Sequence, residues 1–244
     1  MLKLEHTDVI GWEAAIRGMR NPMNSWAKSD SYFVEDGERY DICGNSGPYN
    51  GAETGPIFLM GPNDLNLMKR LSNAGTDHRK YLRMITVYVD VTGPLYWWKE
   101  FDTYKVGTVA NSCSTMHKIA AKEFTFEDFS YEHLIDEKNG WIEDEHGHLW
   151  CSSKTHMETT INLLNAYRYQ YLKTKDKKYW WQMIQLLPSS YNQKRTIMLN
   201  YEVLANIYKS RKNHKLDEWH TFCDWIETLP YSELITGNKM EESK

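Results

Sequence analysis

The clearest hydrophobic pattern in the 244-residue chain lies at residues 83–91. Ile85, Val87, Val89 and Val91 alternate with Thr86, Tyr88 and Asp90, the period-two signature of a half-buried strand. Ahead of it, Gly61-Pro62-Asn63-Asp64 opens a helix that Gly75 closes, with Leu65, Met68 and Leu71 on the inner face. Behind it, Thr92-Gly93-Pro94 turns the chain into a second helix, where Leu95, Trp98, Phe101 and Lys105 keep helical spacing. A polar loop of small residues follows at 107–115. An acidic, turn-rich connection at 132–153 should hold a hairpin. Helices are then expected near 155–173, 177–187, 194–212 and 216–228, with Pro188 separating the second from the third. Near the start, residues 8–20 read as one helix with Arg17 and Arg20 close to its end. Residues 41–61, with Gly44, Gly47, Pro48, Gly51, Gly55 and Pro56, read as a long loop of the kind that is either functional or a plain surface connection. One good strand, a hairpin and a run of helices predict an α+β fold. The divisions expected are 1–62, 63–230 and a tail at 231–244, frayed from about 238, all in one compact domain.

Composition narrows the function. Thirty-three acidic against 29 basic residues leave a net charge of −4, without the basic excess of a nucleic-acid-binding chain. Apolar residues at 41% and charged residues at 25% are ordinary globular usage and exclude wholesale disorder. Ten Trp, 16 Tyr and 7 Phe supply ring area for a large core. No apolar run approaches the roughly 18–20 residues of a membrane helix. The first residues, Met1-Leu2-Lys3-Leu4-Glu5-His6, are too polar for an export signal. Cys43, Cys113, Cys151 and Cys223 form no CxxC pair, and the expectation is reduced thiols in a cytoplasmic protein.

Several positions could carry chemistry. On a helical wheel for 194–212 with Asn200 at zero, Arg211 falls at about 20°, Leu204 at about 40° and Ile207 at about 340°. An arginine on that apolar face needs a carboxylate, backbone carbonyls or an anionic ligand, because burial strips its charge of water. A satisfied core arginine, or one snorkelling past the helix end, is the plainer alternative. The stretch Asn111-Ser112-Cys113-Ser114-Thr115 combines small residues and hydroxyls that suit a phosphate, although such loops are common, and His117 follows it. Thr76-Asp77-His78-Arg79-Lys80 is either a solvated turn or a substrate-facing one. His146, His148, Cys151 and His156 have metal-ligand composition, but the spacing matches no zinc signature, so no metal is expected. Cys113 has no evident paired base for a nucleophilic role.

Taken in order, these segments resemble the flavin-dependent thymidylate synthases. Leu187-Pro188 followed by Asn200, Leu204, Asn206 and Arg211 repeats the family's Leu-Pro, Asn, Leu, Asn, Arg spacing without a gap. His214 and Trp219 are similar to the His and Trp that come next, with a small insertion. Asn111, Ser114 and their neighbours resemble the end of the family's signature loop. The likeness spans about residues 65–228. It departs at the start of that signature, where Arg-His-Arg is replaced by Thr103-Tyr104-Lys105, or by Tyr104-Lys105-Val106 with a one-residue gap. Ser112 stands in place of its glutamate, Met116-His117 in place of Arg-Tyr, and Ile184 in place of an arginine before Leu-Pro.

The resemblance implies a small antiparallel or mixed sheet with a helical C-terminal half, and a homotetramer with sites between subunits. It implies dTMP formation from dUMP, with methylenetetrahydrofolate giving the carbon and FAD, reduced by NADPH, giving hydride. Arg211 would then bind substrate and stabilise charge developing on the pyrimidine. Ser112, Ser114 and Lys105 would hold the phosphate, Lys105 as a point charge and not a fork. Asn200, Asn206, His78 and Asn111 would face the flavin. The lost arginines imply an alternative, a homologue that binds a nucleotide without chemistry as a sensor, sequestering or assembly protein. Neither nucleic acid nor membrane is an expected partner.

Overall fold

The computed structural model describes residues 2–34, 57–136 and 141–237. The glycine- and proline-rich segment read as a long loop therefore lies mostly outside the described residues, as do Cys43 and the tail from 238. Along the chain come β1 (Lys3–Ile10), α1 (Trp12–Arg20), β2 (Tyr32–Val34), β3 (Ile57–Leu59), α2 (Pro62–Asn73), β4 (Thr86–Pro94) and α3 (Leu95–Phe101). Then follow β5 (Val109–Ser112), α4 (Thr115–Lys118), β6 (Trp141–Glu143), β7 (Leu149–Cys151), α5 (Ser153–Thr174) and α6 (Lys177–Leu186). The chain continues through β8 (Asn192–Asn200), α7 (Tyr201–Arg211), α8 (Asp217–Glu227) and α9 (Glu233–Thr236). This is the expected α+β composition. One four-stranded sheet has the order β1-β4-β8-β5, and β2-β3 and β6-β7 are antiparallel pairs.

Two compact units divide the chain. The first comprises residues 1–7, 88–198 and 213–222. In it, Val89 and Val91 of β4 are buried as their alternation requires. Trp97, Trp98 and Phe101 of α3 pack with Trp219 and Phe222 of α8; the Trp97 and Trp219 rings are 5.1 Å apart. Offset and edge-on ring pairs of this kind add to the burial of ring area. A separate apolar cluster joins Ile119, Phe124 and Phe129 to Met157, Ile161 and Leu164 of α5 and Met183 of α6. The i, i+4, i+7 spacing on α5 makes that stripe. The expected hairpin is β6-β7.

The second unit comprises residues 8–87, 199–212 and 223–244. Arg20 at the end of α1 and Asp64 in the first turn of α2 form a buried ion pair at 2.6 Å. Asp64 also accepts from Ser29 Oγ and Ser31 Oγ, each at 2.7 Å, and from the Asp30 and Ser31 amides. Burial would raise this carboxyl, but the two hydroxyls and Arg20 outweigh it and hold it below the usual aspartate value. Residues 29–31 are thereby tied to the start of α2.

Four sequence expectations are corrected. The helix read at 194–212 is a strand followed by a helix: Ile197 and Leu199 are buried while Thr196 is exposed, the period of two of β8, and α7 begins only at Tyr201. The helix read at 8–20 starts at Trp12, because Gly11, at φ +97°, ends β1 with a left-handed step. A Cβ there would sit 2.1 Å from the Met84 carbonyl oxygen, so only glycine fits. The helix read through Lys105 stops at Phe101. The loop at 107–115 contains β5, paired antiparallel to β8 with Asn111 opposite Thr196 and Ser112 opposite Arg195.

Candidate functional site

In the second unit, α7 brings three of the singled-out polar positions onto one short element. Asn200 is its N-cap, and its Oδ1 accepts from the Val203 amide at 3.0 Å. This satisfies an amide that the helix itself cannot. One turn apart on the same face stand buried Glu202 and exposed Asn206. Arg79, from the charged turn after α2, reaches both: Nη2 donates to Glu202 Oε1 at 3.2 Å and to Asn206 Oδ1 at 3.1 Å. Its Nε lies 2.9 Å from Glu202 Oε2, off the line of a hydrogen bond. Glu202 thus neutralises and aims a guanidinium whose Nη1 takes no hydrogen bond among the described residues.

Arg79 lines a cleft of about 280 Å³, together with Gly75, Tyr208, Lys209, Lys212 and Thr236 among others, and no carboxylate among the described residues lines it. The Glu227 carboxylate that accepts from the Tyr208 hydroxyl at 2.5 Å, with burial, pushes that phenol up to about 12. Lys209 and Lys212 sit at the end of α7, where lysine also offsets the helix carbonyls. His78 is exposed in the same turn as Arg79. Arg211 closes α7 half-buried and is engaged with the rest of the chain. It lies in the last turn of α7, one turn beyond buried Ile207 and two beyond buried Leu204 on the same side of the helix.

In the first unit, Asn111 and Ser112 lie exposed on β5, and Lys105 is exposed beyond α3. Ser114 caps α4: its Oγ accepts from the His117 amide at 3.2 Å and lies 2.7 Å from His117 Nδ1. The Cys113 amide donates to the Lys194 carbonyl at 2.9 Å, and Gln193 Nε2 donates to the Cys113 carbonyl at 3.0 Å.

Sequence reasoning missed Arg195, the neighbour of this segment. Its guanidinium stacks 4.2 Å from the Trp98 ring centre, pairs with Asp102 at 2.7 Å and donates from Nε to Gln193 at 3.0 Å. The signal was present in the alternation of 195, 197 and 199, which the helical reading of 194–212 hid. Asp102 sits directly before Thr103-Tyr104-Lys105, so Arg195, near that stretch, is already matched by a carboxylate.

The His and Trp after Arg211 serve the core. Glu100 accepts from buried Trp219 Nε1 at 2.9 Å and lies 3.4 Å from His214 Nε2, while the Leu216 amide donates to His214 Nδ1 at 3.2 Å. The His146–Cys151 region is the end of the β6-β7 turn together with β7, and the turn is ordered by Asp144. Asp144 accepts from Trp150 Nε1 and from the amides of His146 and His148; these bonds, the Trp150 indole first, hold its carboxyl low. No group of three or more His, Cys, Asp or Glu suited to a metal occurs among the described residues. Cys113, Cys151 and Cys223 are free, and burial pushes the Cys223 thiol up to about 11. No helix among the described residues is long and apolar enough to cross a membrane.

Solved structures share this fold over nearly the whole chain. Thymidylate synthase X from Helicobacter pylori, solved with FAD and dUMP, superposes with a TM-score of 0.62 at 14% identity, covering 97% of each chain. A second structure of that enzyme with the same ligands gives 0.60 at 14% identity, covering 96% of each. The UMP/dUMP methylase PolB from Streptomyces cacaoi, bound with 5-Br dUMP, gives 0.53 at 12% identity, covering 97% of this chain and 94% of that one. No protein-family model matches the sequence, and no curated protein matches it. At these identities the likeness is one of fold: the chain has the fold of the flavin-dependent thymidylate synthases.

Proposed function

We propose that the protein binds a pyrimidine nucleotide, dUMP or a close relative, and methylates it reductively with methylenetetrahydrofolate, NADPH and a bound flavin. The observation that carries this reading is the fold shared end to end with nucleotide-bound methylating enzymes, together with the Asn200, Asn206, Arg211 spacing on and before α7. In the second unit, Arg211 is assigned to the pyrimidine, where a cation stabilises charge developing on a ring carbonyl. Arg79, held by Glu202 and Asn206, is a further cation for an anionic or carbonyl group of a ligand. In the first unit, Ser112, Ser114 and Lys105 are assigned to a phosphate, and Asn111 to the cofactor.

The donor set fits a flavin ring edge better than a flavin diphosphate. Asn200 and Asn206 use their oxygens on Val203 and Arg79, which leaves side-chain N–H groups to donate to ring carbonyls, and His78 is exposed nearby in sequence to Arg79. For a diphosphate, the stretch after α3 offers Lys105 alone. The flavin, when bound, supplies the hydride; the chain's own residues orient the nucleotide and hold its charge. The Arg195–Asp102 pair favours a second reading, a nucleotide-binding protein without chemistry, since it neutralises the arginine closest to the lost signature.

The test is the visible spectrum of the protein after mixing with FAD and desalting, followed by thermal melting with dUMP. A retained flavin band and a dUMP-dependent rise in Tm, the rise absent in Arg211→Ala of matched apo stability, support the enzyme reading. A colourless protein that dUMP still stabilises supports the second reading. Unchanged melting with dUMP, UMP and their methylated forms sinks both.

A further inference from the structure

Two lysines of the second unit carry positive charge that no acid meets. Lys209 and Lys212, at the end of α7, are exposed, and neither has an acidic partner among the described residues. Both line the cleft of about 280 Å³ that Arg79 also lines. Arg79 is balanced by buried Glu202, so the unmatched charge is that of the two lysines. Helix carbonyls at the end of α7 take up about half a unit of it. The remainder matches one phosphate monoester, which carries about −1.5 to −2 at neutral pH. Three residues apart on a helix, the two lysines stand side by side. Ala205, Leu234 and Ile235 give the cleft a buried apolar lining, and Asn73 and Thr236 add polar groups to it.

The cleft adjoins a position assigned to the flavin ring. Asn206 Oδ1 accepts from Arg79, and along α7 Lys209 and Lys212 lie about 4.5 and 9 Å beyond Asn206, at about 1.5 Å per residue. A ring edge at Asn206 and a phosphate at the two lysines are then the ends of one small molecule, joined by a ribityl chain whose hydroxyls suit Asn73 and Thr236. Granted the flavin of the proposed function, we propose that this chain takes it as the mononucleotide FMN, with the phosphate in the Arg79–Lys209–Lys212 cleft. The dinucleotide FAD is the poorer fit, because its adenosine needs further room and a ring to lie on. The cleft is smaller than the roughly 300–1,000 Å³ of sites that enclose a whole ligand of drug size. Tyr208 is the one aromatic residue among the described residues that line it, and Lys212 Nζ already lies 5.7 Å from that ring's centre.

Equilibrium dialysis of the full-length protein against riboflavin, FMN and FAD tests this, read by visible absorbance. FMN should bind about tenfold or more tighter than riboflavin, as charge-assisted hydrogen bonds to a phosphate would give, and FAD no tighter than FMN. Inorganic phosphate should compete with FMN and leave riboflavin binding unchanged, and added salt should shrink the advantage of FMN. Lys209→Gln/Lys212→Gln should melt close to wild type, since both positions are exposed and glutamine is a good helix former. It should bind FMN no better than riboflavin, with its riboflavin affinity that of wild type. FMN and riboflavin binding equally to wild type, FAD binding about tenfold tighter than FMN, or an FMN advantage that survives in the variant overturns the proposal and leaves the flavin site standing. Failure of all three flavins to bind overturns the flavin reading, and the proposal with it. If the variant fails to fold, wild type alone decides: FMN binding indifferent to inorganic phosphate and to salt overturns the proposal.

Discussion

Asp64 and Arg20 are 44 positions apart, and nothing in the local pattern of either announces the other. Position 64 reads only as an acid in the first turn of a helix. Its burial follows from the hydroxyls of Ser29 and Ser31 and the guanidinium of Arg20 closing over it. Removing the charge by Asp64→Asn leaves a buried arginine uncompensated, which costs about 3–5 kcal/mol. Urea unfolding at pH 7 should show that loss. Because the folded carboxyl titrates below its unfolded value of about 3.9, its contribution is complete above that pH. It fades as pH falls toward the folded value. The difference between wild type and variant should therefore shrink in acid, and a difference independent of pH would refute the account. The Arg79–Glu202 pair makes a parallel case nearer the site. Arg79→Ala strands a buried carboxylate and should cost about 3 kcal/mol, whereas Arg79→Ala/Glu202→Ala should recover part of it. Additive losses in the double variant would show that the two do not act together.

At the level of elements, strands were harder to read than helices, and β8 shows why. Lys194-Arg195-Thr196-Ile197-Met198-Leu199 satisfies a helical face about as well as an alternating one. What decides is β5, more than 80 residues earlier, which supplies hydrogen-bond partners for a strand. β4 was legible because its valines alternate over a full strand. The α5, α6 and α8 segments were legible within two residues because their apolar stripes are local. The error had consequences for the site: it set Asn200 in mid-helix and Arg195 out of view. The true role of Asn200 can be read by paired substitutions. Asn200→Ala should cost about 1 kcal/mol for the lost cap, a drop of about 2–4 °C in Tm for a chain of this size. Asn200→Asp keeps an accepting oxygen beside a helix N-terminus and should melt near wild type. If the side-chain N–H group also donates to a flavin, Asn200→Asp should lose flavin retention while keeping its Tm. Equal destabilisation by both substitutions would exclude the capping role.

For the molecule as a whole, the fold is shared where the sequence is not. The spacing from Leu187-Pro188 to Arg211 was the part of the resemblance the chain still spells out, and the superposed structures share the rest of the architecture at 14% identity or less. Packing explains the difference. A core built from Trp97, Trp98, Phe101, Trp219 and Phe222 needs volume and ring area more than particular residues. A phosphate or flavin site needs given donors at given points, and it is at such positions that this chain departs from the family's pattern. The same architecture sets how the protein should unfold. The chain passes between the two compact units at 7/8, 87/88, 198/199, 212/213 and 222/223, so β1, β4, β8 and α8 each contribute residues to both. Neither unit can lose its part of a strand without fraying the remainder of that strand's ladder, so one cooperative transition is expected in place of two. Calorimetry should give a van't Hoff enthalpy equal to the calorimetric one, and fluorescence, weighted to the tryptophans of the first unit, should trace the same curve as far-UV circular dichroism. Two separated transitions, or a fluorescence midpoint several degrees from the dichroic one, would mean that the strands come apart at the crossings and that each unit is stable alone.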